Sequence, residues 1–523
     1  MKTRVETYLL VKVWKLIYET FKELGKPIIP AKELLASIKD DERVWDLFKN
    51  GITCTLNQVD SDNGMQQARR YGIHSFEDGA LIAAAIRPSF DAWRDKFLSH
   101  EKYSTGSKDL DEVLKQTHHY ILYQENLMQY FDWLGVTPAE SIGLIKKISK
   151  KKIKPADFAS LETRLKENWI RRTGSEDMFA ETWEMIQGCM AYGFASPHAC
   201  ATSLDMCYGA YLKVHYPYEY YCVCFNNYSD DEERTLKLKK ELDYFGIKLS
   251  GVKFRHSNAK YSYDKEKKMI YKGMGSIKYL NDKSSDELYE LRDNKYDTFI
   301  DLLYDIEEKT SLNSKQLEIL IKINFFSEFG DPKKLLYARD LFADISKNKH
   351  LKKSKASKWA IPNKICLDYS EKETETMFRN SDMRAIMNWV LKNNDVPPCQ
   401  PWEIISNQIE LLGYVEYVDP NLEWRYACVS QVDAKYSPKV TLYCIKNGKT
   451  STMKIHKKKP WKSKDVLQTW SDMPLKVGDV VYLTSCKKEP AMKKVDDTWV
   501  KDYSNMEWWI NDYGLVYRID NIT

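Results

Sequence analysis

The stretch "IKKISKKKIKP" places Lys146, Lys147, Lys150, Lys151, Lys152 and Lys154 within nine residues. Cations this close lie within one Debye length of each other, so together they can neutralise successive phosphates and release counterions. A lysine run alone reads equally as a solvated face. Here two amphipathic helical patterns flank it, and Arg164, Lys166, Arg171 and Arg172 follow shortly after. The reading stands open between a solvated face and a surface that contacts DNA or a triphosphate. A second signal is "YKGMGSIKYL". Gly273 and Gly275 before a helix can leave backbone N–H groups free for a phosphate oxygen, with Lys272 and Lys278 beside them. Among short helices this suggests a helix-hairpin-helix, and a plain turn is the competing reading. Arg69, Arg70 and Arg87 are further cationic points, either solvent-facing or ligand-facing. Finally, "MAYGFASPHACATSLDMCYGAYLKVHYPYEYYCVCF" is an apolar helical stretch interrupted by a Tyr192-Gly193-Phe194 turn, Pro197 and His198.

The elements that must hold these residues follow from composition and periodicity. The 523-residue chain is about three to four domain lengths. With 43% hydrophobic and 30% charged residues it reads as globular and multi-domain. A formal charge of +5 creates no global field, so any nucleic-acid surface must be local. No long apolar run or leader pattern is present, which points to a cytoplasmic protein with no membrane partner. Eleven cysteines without framework spacing fit free thiols, and the absence of any CxxC argues against zinc.

Residues 5 to about 225 read mostly as helix. Phe179, Trp183, Ile186 and Met190 form one apolar face, and Ser175-Glu176-Asp177 looks like its capped start. Short mixed elements follow to Gly273, then short helices to about 330. "SKNKHLKKSKASK", residues 346–358, holds six lysines and no acid and reads as a linker or exposed arm. Val396-Pro397-Pro398 is a second break. Beyond Trp402 the pattern turns to β, with an Asn447-Gly448 hairpin turn, mostly antiparallel strands and a small OB-like barrel expected. On that barrel Trp424, Arg425, Trp461 and Lys457 to Lys459 suit single-strand stacking or, for the tryptophans, core packing.

In order, these segments resemble the C-terminal half of a bacterial or phage C-family DNA polymerase, the DNA polymerase III alpha subunit. "NQVDSDNGMQQARRYGIHSFEDGALIAAAIRP" resembles part of the family's fingers. "YQENLMQ", with lysines some twenty residues later, resembles its "YQEQVMQ" and basic helix. Tyr192-Gly193-Phe194, His198, Leu212-Lys213 and His215-Tyr216-Pro217 resemble "YGF…H…YLKAHYP". "GMGSIKYL" through "FFSEFG" resembles the tandem helix-hairpin-helix region. Departures are Ala195-Ser196-Pro197-His198 where the family has Asn-Lys-Ser-His, and Ser89 where it has glycine.

The resemblance implies a palm-end remnant at 1–34, helical fingers at 35–235 and an α+β segment with helix-hairpin-helix at 236–340. A basic linker at 341–401 and an OB-like domain at 402–523 complete the expected order. It implies a multi-domain protein that is mainly α in the fingers and all-β at the C-terminal end. Nucleotide- and DNA-binding residues would be Arg69, Arg70, Arg87, Lys146, Lys147, Lys150, Lys151, Lys152, Tyr192 and His198, with Gly273, Gly275 and Lys278 on phosphate. Tyr208 and the phenols after it are expected to be ordinary satisfied core residues. Implied partners are primer–template DNA, deoxynucleoside triphosphates, a palm-containing polymerase chain and a sliding clamp. For the clamp, Thr376-Met377-Phe378 lies in a suitable linker but lacks the expected glutamine. The complete polymerase uses Mg²⁺. The family's last palm aspartate would fall in a strand near Met1-Lys2-Thr3-Arg4-Val5-Glu6, where none stands, so this chain shows no recognisable catalytic centre. The alternative is a non-catalytic, polymerase-derived DNA-binding protein.

Overall fold

The computed structural model describes residues 2–149, 155–229, 231–435, 437–456, 461–463, 466–468, 470–495 and 498–518. The chain divides into two compact units, 1–249 with 263–270, and 250–262 with 271–523. The expected segment 1–34 is therefore part of the first unit. Its opening residues are helical where a palm strand was expected, Lys2–Glu23 forming one helix. Trp14 lies against Tyr208 at 5.5 Å, which docks that helix on the helix Ser196–His215.

From Lys2 to Tyr244 the described elements are helices and 3-10 turns, as the periodicity predicts. Two glycines let backbones approach. A Cβ on Gly79 would stand 2.4 Å from Ser203 Oγ, and one on Gly209 would stand 2.5 Å from Leu56 Cδ2. The helix Phe76–Ala85, buried from Gly79 to Ala85, thereby nests against Ser196–His215. One start differs from expectation. The helix begins at Phe179, after Met178 with a left-handed φ of 63°, so Ser175 lies upstream of its N-terminus. Ser175 instead accepts the Asp177 N–H at 3.1 Å.

Of the phenols that crowd the end of the apolar stretch, Tyr208, Tyr220 and Tyr221 are core residues with partners, whereas Tyr211, Tyr216 and Tyr218 are only half-buried. Tyr208 donates to the Ile29 carbonyl, Tyr220 pairs with Thr55 Oγ1 at 3.0 Å, and Tyr221 donates to Glu241 at 2.8 Å. Lys213, with no exposed surface, lies 2.6 Å from Glu241 and donates to the Ile52 carbonyl at 3.1 Å. Glu241 also accepts the Cys54 N–H at 2.7 Å. All eleven cysteines are free.

In the second unit, the helices Phe299–Lys309 and Ser314–Lys322 both open on capping boxes, Thr298 with Asp301 and Asn313 with Gln316. They share a core with the helices Pro332–Ile345 and Met383–Asn393. The stretch expected to be a basic linker is folded. Leu351–Lys352 is a strand, Lys353–Lys358 a helix, and Leu351 and Ala356 are buried. The strands Ser370–Glu373 and Leu351–Lys352 flank Met377–Ser381, which places Met377 and Phe378 inside a sheet. The lysines find acids beyond the run itself. Lys355 and Lys358 pair with Asp344 at 3.0 and 2.8 Å, while Lys353 and Lys347 meet Glu373 and Glu307 at 2.5 Å.

The C-terminal strands close into a five-stranded barrel. Around it run Tyr426–Asp433, Lys439–Cys444, Thr450–Ile455, Thr498–Tyr517 and Val480–Val495, which returns to the first. Four pairings are antiparallel, and Thr450–Ile455 runs parallel to Thr498–Tyr517. Val429, Val440, Leu442, Ile455 and Ile510 fill its centre. Trp424 is 61% exposed, so it is surface and not core. Lys457 to Lys459 lie outside the described residues, and nothing is described of the Trp461 side chain. Trp402 belongs to a helix, Pro401–Leu412, that faces two ways. Ile405 and Ile409 pack beneath the barrel, whereas Leu411 and Leu412 join the helical core.

The Lys213–Glu241 pair yields a stability test. Lys213→Ala leaves a carboxylate buried without its cation, a loss of about 3–5 kcal/mol. Lys213→Met with Glu241→Gln removes both charges and keeps an acceptor for Cys54, so most of that loss should return. Denaturant midpoints of the two variants measure the difference. Equal destabilisation in both would mean that the ion pair itself is not what the site requires.

Candidate nucleotide and nucleic-acid interface

Tyr123-Gln124-Glu125 grips the turn Gly193 to Ser196. Tyr123 forms a parallel bridge with Phe194, and the Gln124 N–H donates to the Phe194 carbonyl at 3.1 Å. The Gln124 amide donates to the Gly193 carbonyl at 2.9 Å. Glu125 accepts the Ser196 N–H at 2.8 Å. The helix Ser196–His215 starts after Ala195, which offers no capping side chain, so Glu125 fills that role from another segment. Pro197, in the first turn, suits a position whose N–H is not needed. Gly193 is required by proximity, since a Cβ would stand 2.6 Å from the Cys189 carbonyl.

The clamp presents the Phe194 ring between two cation-capable groups. The Arg87 guanidinium lies 4.4 Å from its centroid, and His198 meets its edge at 4.9 Å. Arg87 is half-buried and held by the Ala83 carbonyl at 3.3 Å and by Gln58 Oε1 at 3.0 Å. Arg94 braces the same bend, donating to the Arg87 carbonyl at 2.8 Å and the Ala85 carbonyl at 2.9 Å. Both arginines thus serve carbonyls at or just beyond the C-terminal end of the helix Phe76–Ala85. Gln58 adopts φ 66° beside Asn57, whose amide donates to Asp205 at 3.0 Å. Burial raises the Asp205 carboxyl to about 6, against bonds from Asn57 and Trp14 that lower it.

Of the residues expected here, the structure brings Arg87 and His198 together. Tyr192 ends the helix before the turn, and nothing is described of its side chain. Arg69 and Arg70 brace helices. Arg69 donates to the Lys49 carbonyl at 3.1 Å, and Arg70 pairs with Asp95 and donates to Ser99 at 2.9 Å. Lys146 and Lys147 are exposed in the last turn of the helix Pro138–Ser149. Lys150, Lys151 and Lys152 lie outside the described residues.

The glycine pair takes a different part from the one expected. The Met274 and Gly275 N–H groups donate to the Asn258 and Ala259 carbonyls at 2.7 and 2.9 Å. A Cβ on Gly273 would stand 2.5 Å from Lys260 backbone, and one on Gly275 would stand 2.9 Å from the Ala259 carbonyl. These are glycines of close backbone packing. Lys278 donates to the Glu410 carbonyl at 3.0 Å. The left-handed turn before the helix Asp282–Glu290 is at Tyr279, φ 70°, which is 64% exposed and has the Lys315 ammonium 4.1 Å from its ring. Periodicity did not single out Gln58, Arg94 or Tyr279. Neither Gln58 nor Tyr279 is a residue type that advertises a left-handed backbone.

The comparisons with known proteins bear on this geometry directly. Residues 16–171, which include Gln58, Arg87 and the Tyr123–Glu125 clamp, match the family described as bacterial DNA polymerase III alpha subunit finger domain. Residues 246–336 match the helix-hairpin-helix motif. A DNA polymerase III subunit alpha of Aquifex aeolicus is 28% identical over 311 residues, 57% of this chain and 26% of that protein. Its counterpart in Staphylococcus epidermidis is 26% identical over 380 residues, 68% of this chain and 35% of the relative. In Campylobacter jejuni the figures are 26% over 309 residues, 57% and 25%. Over these segments the chain is similar to DNA polymerase III alpha subunits. It spans about a quarter to a third of the length of these relatives. The resemblance is to the C-terminal half of the subunit. No helix among its described residues is long and apolar enough to cross a membrane.

Asp205, raised above its unfolded range, binds more protons in the folded state. It therefore subtracts stability as pH rises from about 4 through about 6. Asp205→Asn keeps an acceptor for Asn57 and should gain up to about 3 kcal/mol over the parent at pH 7.5, with little gain at pH 4. Denaturation midpoints at both pH values measure it. A gain independent of pH would show that the carboxylate charge is not the cause.

Proposed function

We propose that this alpha-like chain supplies the fingers, helix-hairpin-helix and barrel portion of a template-directed DNA polymerase. It grips primer–template and the incoming deoxynucleoside triphosphate, while palm carboxylates come from another polypeptide. The observation that carries this reading is the Arg87–Phe194–His198 cluster, clamped by Tyr123-Gln124-Glu125 on a fingers framework. A half-buried guanidinium braced by carbonyls is a pre-oriented partner for triphosphate oxygens. Phe194 offers a flat face beside it, and Lys146 and Lys147 add exposed positive charge.

Two-metal nucleotidyl transfer needs several carboxylates around the ions. Among the described residues, no group of three or more His, Cys, Asp and Glu is placed to hold a metal. In this reading no step through Mg²⁺ is assigned to the described residues. In the second unit, the occupied Met274 and Gly275 N–H groups shift the proposed phosphate contact to the first turn of the helix Asp282–Glu290, with Lys283. A sliding clamp as partner and single-strand binding by the barrel belong to the same proposal, the exposed Trp424 beside Arg425 supporting the latter.

Two measurements test this reading. Arg87→Ala should weaken deoxynucleoside triphosphate binding about tenfold or more while duplex affinity holds, since lost charge-assisted contacts are worth about 1.5–3 kcal/mol. Lys150, Lys151 and Lys152 changed to Ala should flatten the salt dependence of primer–template binding by up to about 0.9 per lost contact. Unchanged triphosphate affinity and slope would return these residues to structural and solvated roles.

Purified chain should shift primer–template in a gel yet incorporate no labelled nucleotide with Mg²⁺ or Mn²⁺. Adding a palm-containing polymerase chain should restore synthesis. Metal-dependent extension by this chain alone would overturn the division of labour. DNA binding that no palm-containing chain converts to synthesis would favour the non-catalytic DNA-binding protein.

A further inference from the structure

A cavity of about 490 Å³ opens in the first unit among residues 97–104 and 115–120. That size falls within the ~300–1,000 Å³ of small-molecule sites. Its walls are aromatic. Tyr103 and Tyr120 stack at 4.6 Å, and Phe97 meets Tyr120 edge-on at 5.4 Å. Lys102 and Lys115 line it as well, with Glu101 the acid among its lining residues and Glu112 paired to Lys115.

Three of the chain's nine histidines, His100, His118 and His119, also line this cavity. All three hold left-handed backbones, with φ of 53°, 52° and 71°. For residues other than glycine that conformation costs roughly 1–2 kcal/mol each, and such outliers gather at binding sites. Each imidazole uses one nitrogen within the protein. His119 donates from Nδ1 to the Tyr103 carbonyl at 2.7 Å. His100 donates from Nε2 to the Tyr71 carbonyl at 2.7 Å, and His118 Nε2 meets the Tyr71 hydroxyl at 3.2 Å. The other ring nitrogens have no partner among the described contacts. No metal-holding group exists among the described residues, so a metal does not explain the cluster.

The hydroxyls of Tyr103 and Tyr120 are buried without a hydrogen-bond partner, and Tyr120 is only 1% exposed. Those hydroxyls carry almost no accessible surface, so they face the protein interior and not the cavity. Aromatic walls, two lysines and three imidazoles together match a flat heterocycle joined to a phosphate.

We propose that this cavity binds a nucleotide unit, its base against the Tyr103 ring and its phosphate among Lys102, Lys115 and the histidines. The site lies apart from Arg87 and does not rest on the role proposed for it. The unit is either a free nucleoside monophosphate or the 5′-phosphorylated end of a strand.

Calorimetric titration of the full chain with dAMP, deoxyadenosine, inorganic phosphate and a 5′-phosphorylated dinucleotide tests the proposal. Cross-linking by 8-azidoadenosine monophosphate then locates the site. dAMP or the dinucleotide should bind at least about tenfold more tightly than deoxyadenosine or phosphate, a gap of about 1.4 kcal/mol. Binding of dAMP marks a free nucleotide, and binding of the dinucleotide alone marks a strand end. The label should fall on peptides containing Tyr103 or Tyr120. His119→Gly, which adopts φ 71° without strain, and Lys102→Ala should each weaken binding about fivefold or more at unchanged melting temperature. Should His119→Gly melt lower, Lys102→Ala and the position of the label decide. Cross-links elsewhere, parent-like affinity in Lys102→Ala, or deoxyadenosine and phosphate binding as well as the nucleotides would overturn the proposal.

Discussion

A lysine ammonium stripped of water can persist only beside a carboxylate, and Lys213 meets that condition through Glu241. The constraint reaches further than the pair. Lys213 sits near the end of the helix whose first turn presents His198, just beyond Phe194. Glu241 belongs to the later helix Glu232–Tyr244, and both hold the loop near Ile52 and Cys54. A few residues on, that loop carries Gln58 to Arg87. Both walls of the Arg87–Phe194 cluster are thus referred to one buried charge pair. Tyr221 and Cys54 satisfy the remaining lone pairs of Glu241, without which so dry a pair would be costly.

Glu125 constrains how the same site would meet the proposed anion. A helix start is ordinarily a place where backbone N–H groups greet phosphate. Here a carboxylate from another segment already occupies the first turn of the helix Ser196–His215. In the proposed reading, recognition of negative charge is left to side-chain cations, Arg87 foremost, whose position depends on the carbonyls of the preceding helix.

How much of this was legible in the sequence depends on where each partner lies. Tyr123-Gln124-Glu125 and Gly193-Phe194 could be matched because both halves of the clamp are contiguous words. The barrel strands could be read from alternation and from the Asn447-Gly448 turn, where Gly448 has φ 69°. The parallel closure between Thr450–Ile455 and Thr498–Tyr517 could not, since it joins strands about fifty residues apart. The lysines of 346–358 read as an arm because the run itself holds no acid. Asp344, Glu307 and Glu373 reach them only once the chain has folded. Gly273 and Gly275 read as a phosphate cradle because glycine signals backbone approach without saying to what. The neighbour is the chain itself, at residues 258–260. Arg70 read as a ligand for the same kind of reason, its partner Asp95 being twenty-five residues away.

The helix Pro401–Leu412 gives one face to the barrel and the other to the helical core, and its Gln408 amide bonds the Ile323 carbonyl at 3.2 Å. For inheritance this matters. Val396-Pro397-Pro398 looks like a seam at which recombination could exchange one barrel for another. A donor barrel joined there would bring its own helix, and that helix would have to match Leu411, Leu412 and Gln408 on a surface it had never met. Swaps at this seam should be poorly tolerated, so the barrel and the helices before it are expected to change together over evolutionary time.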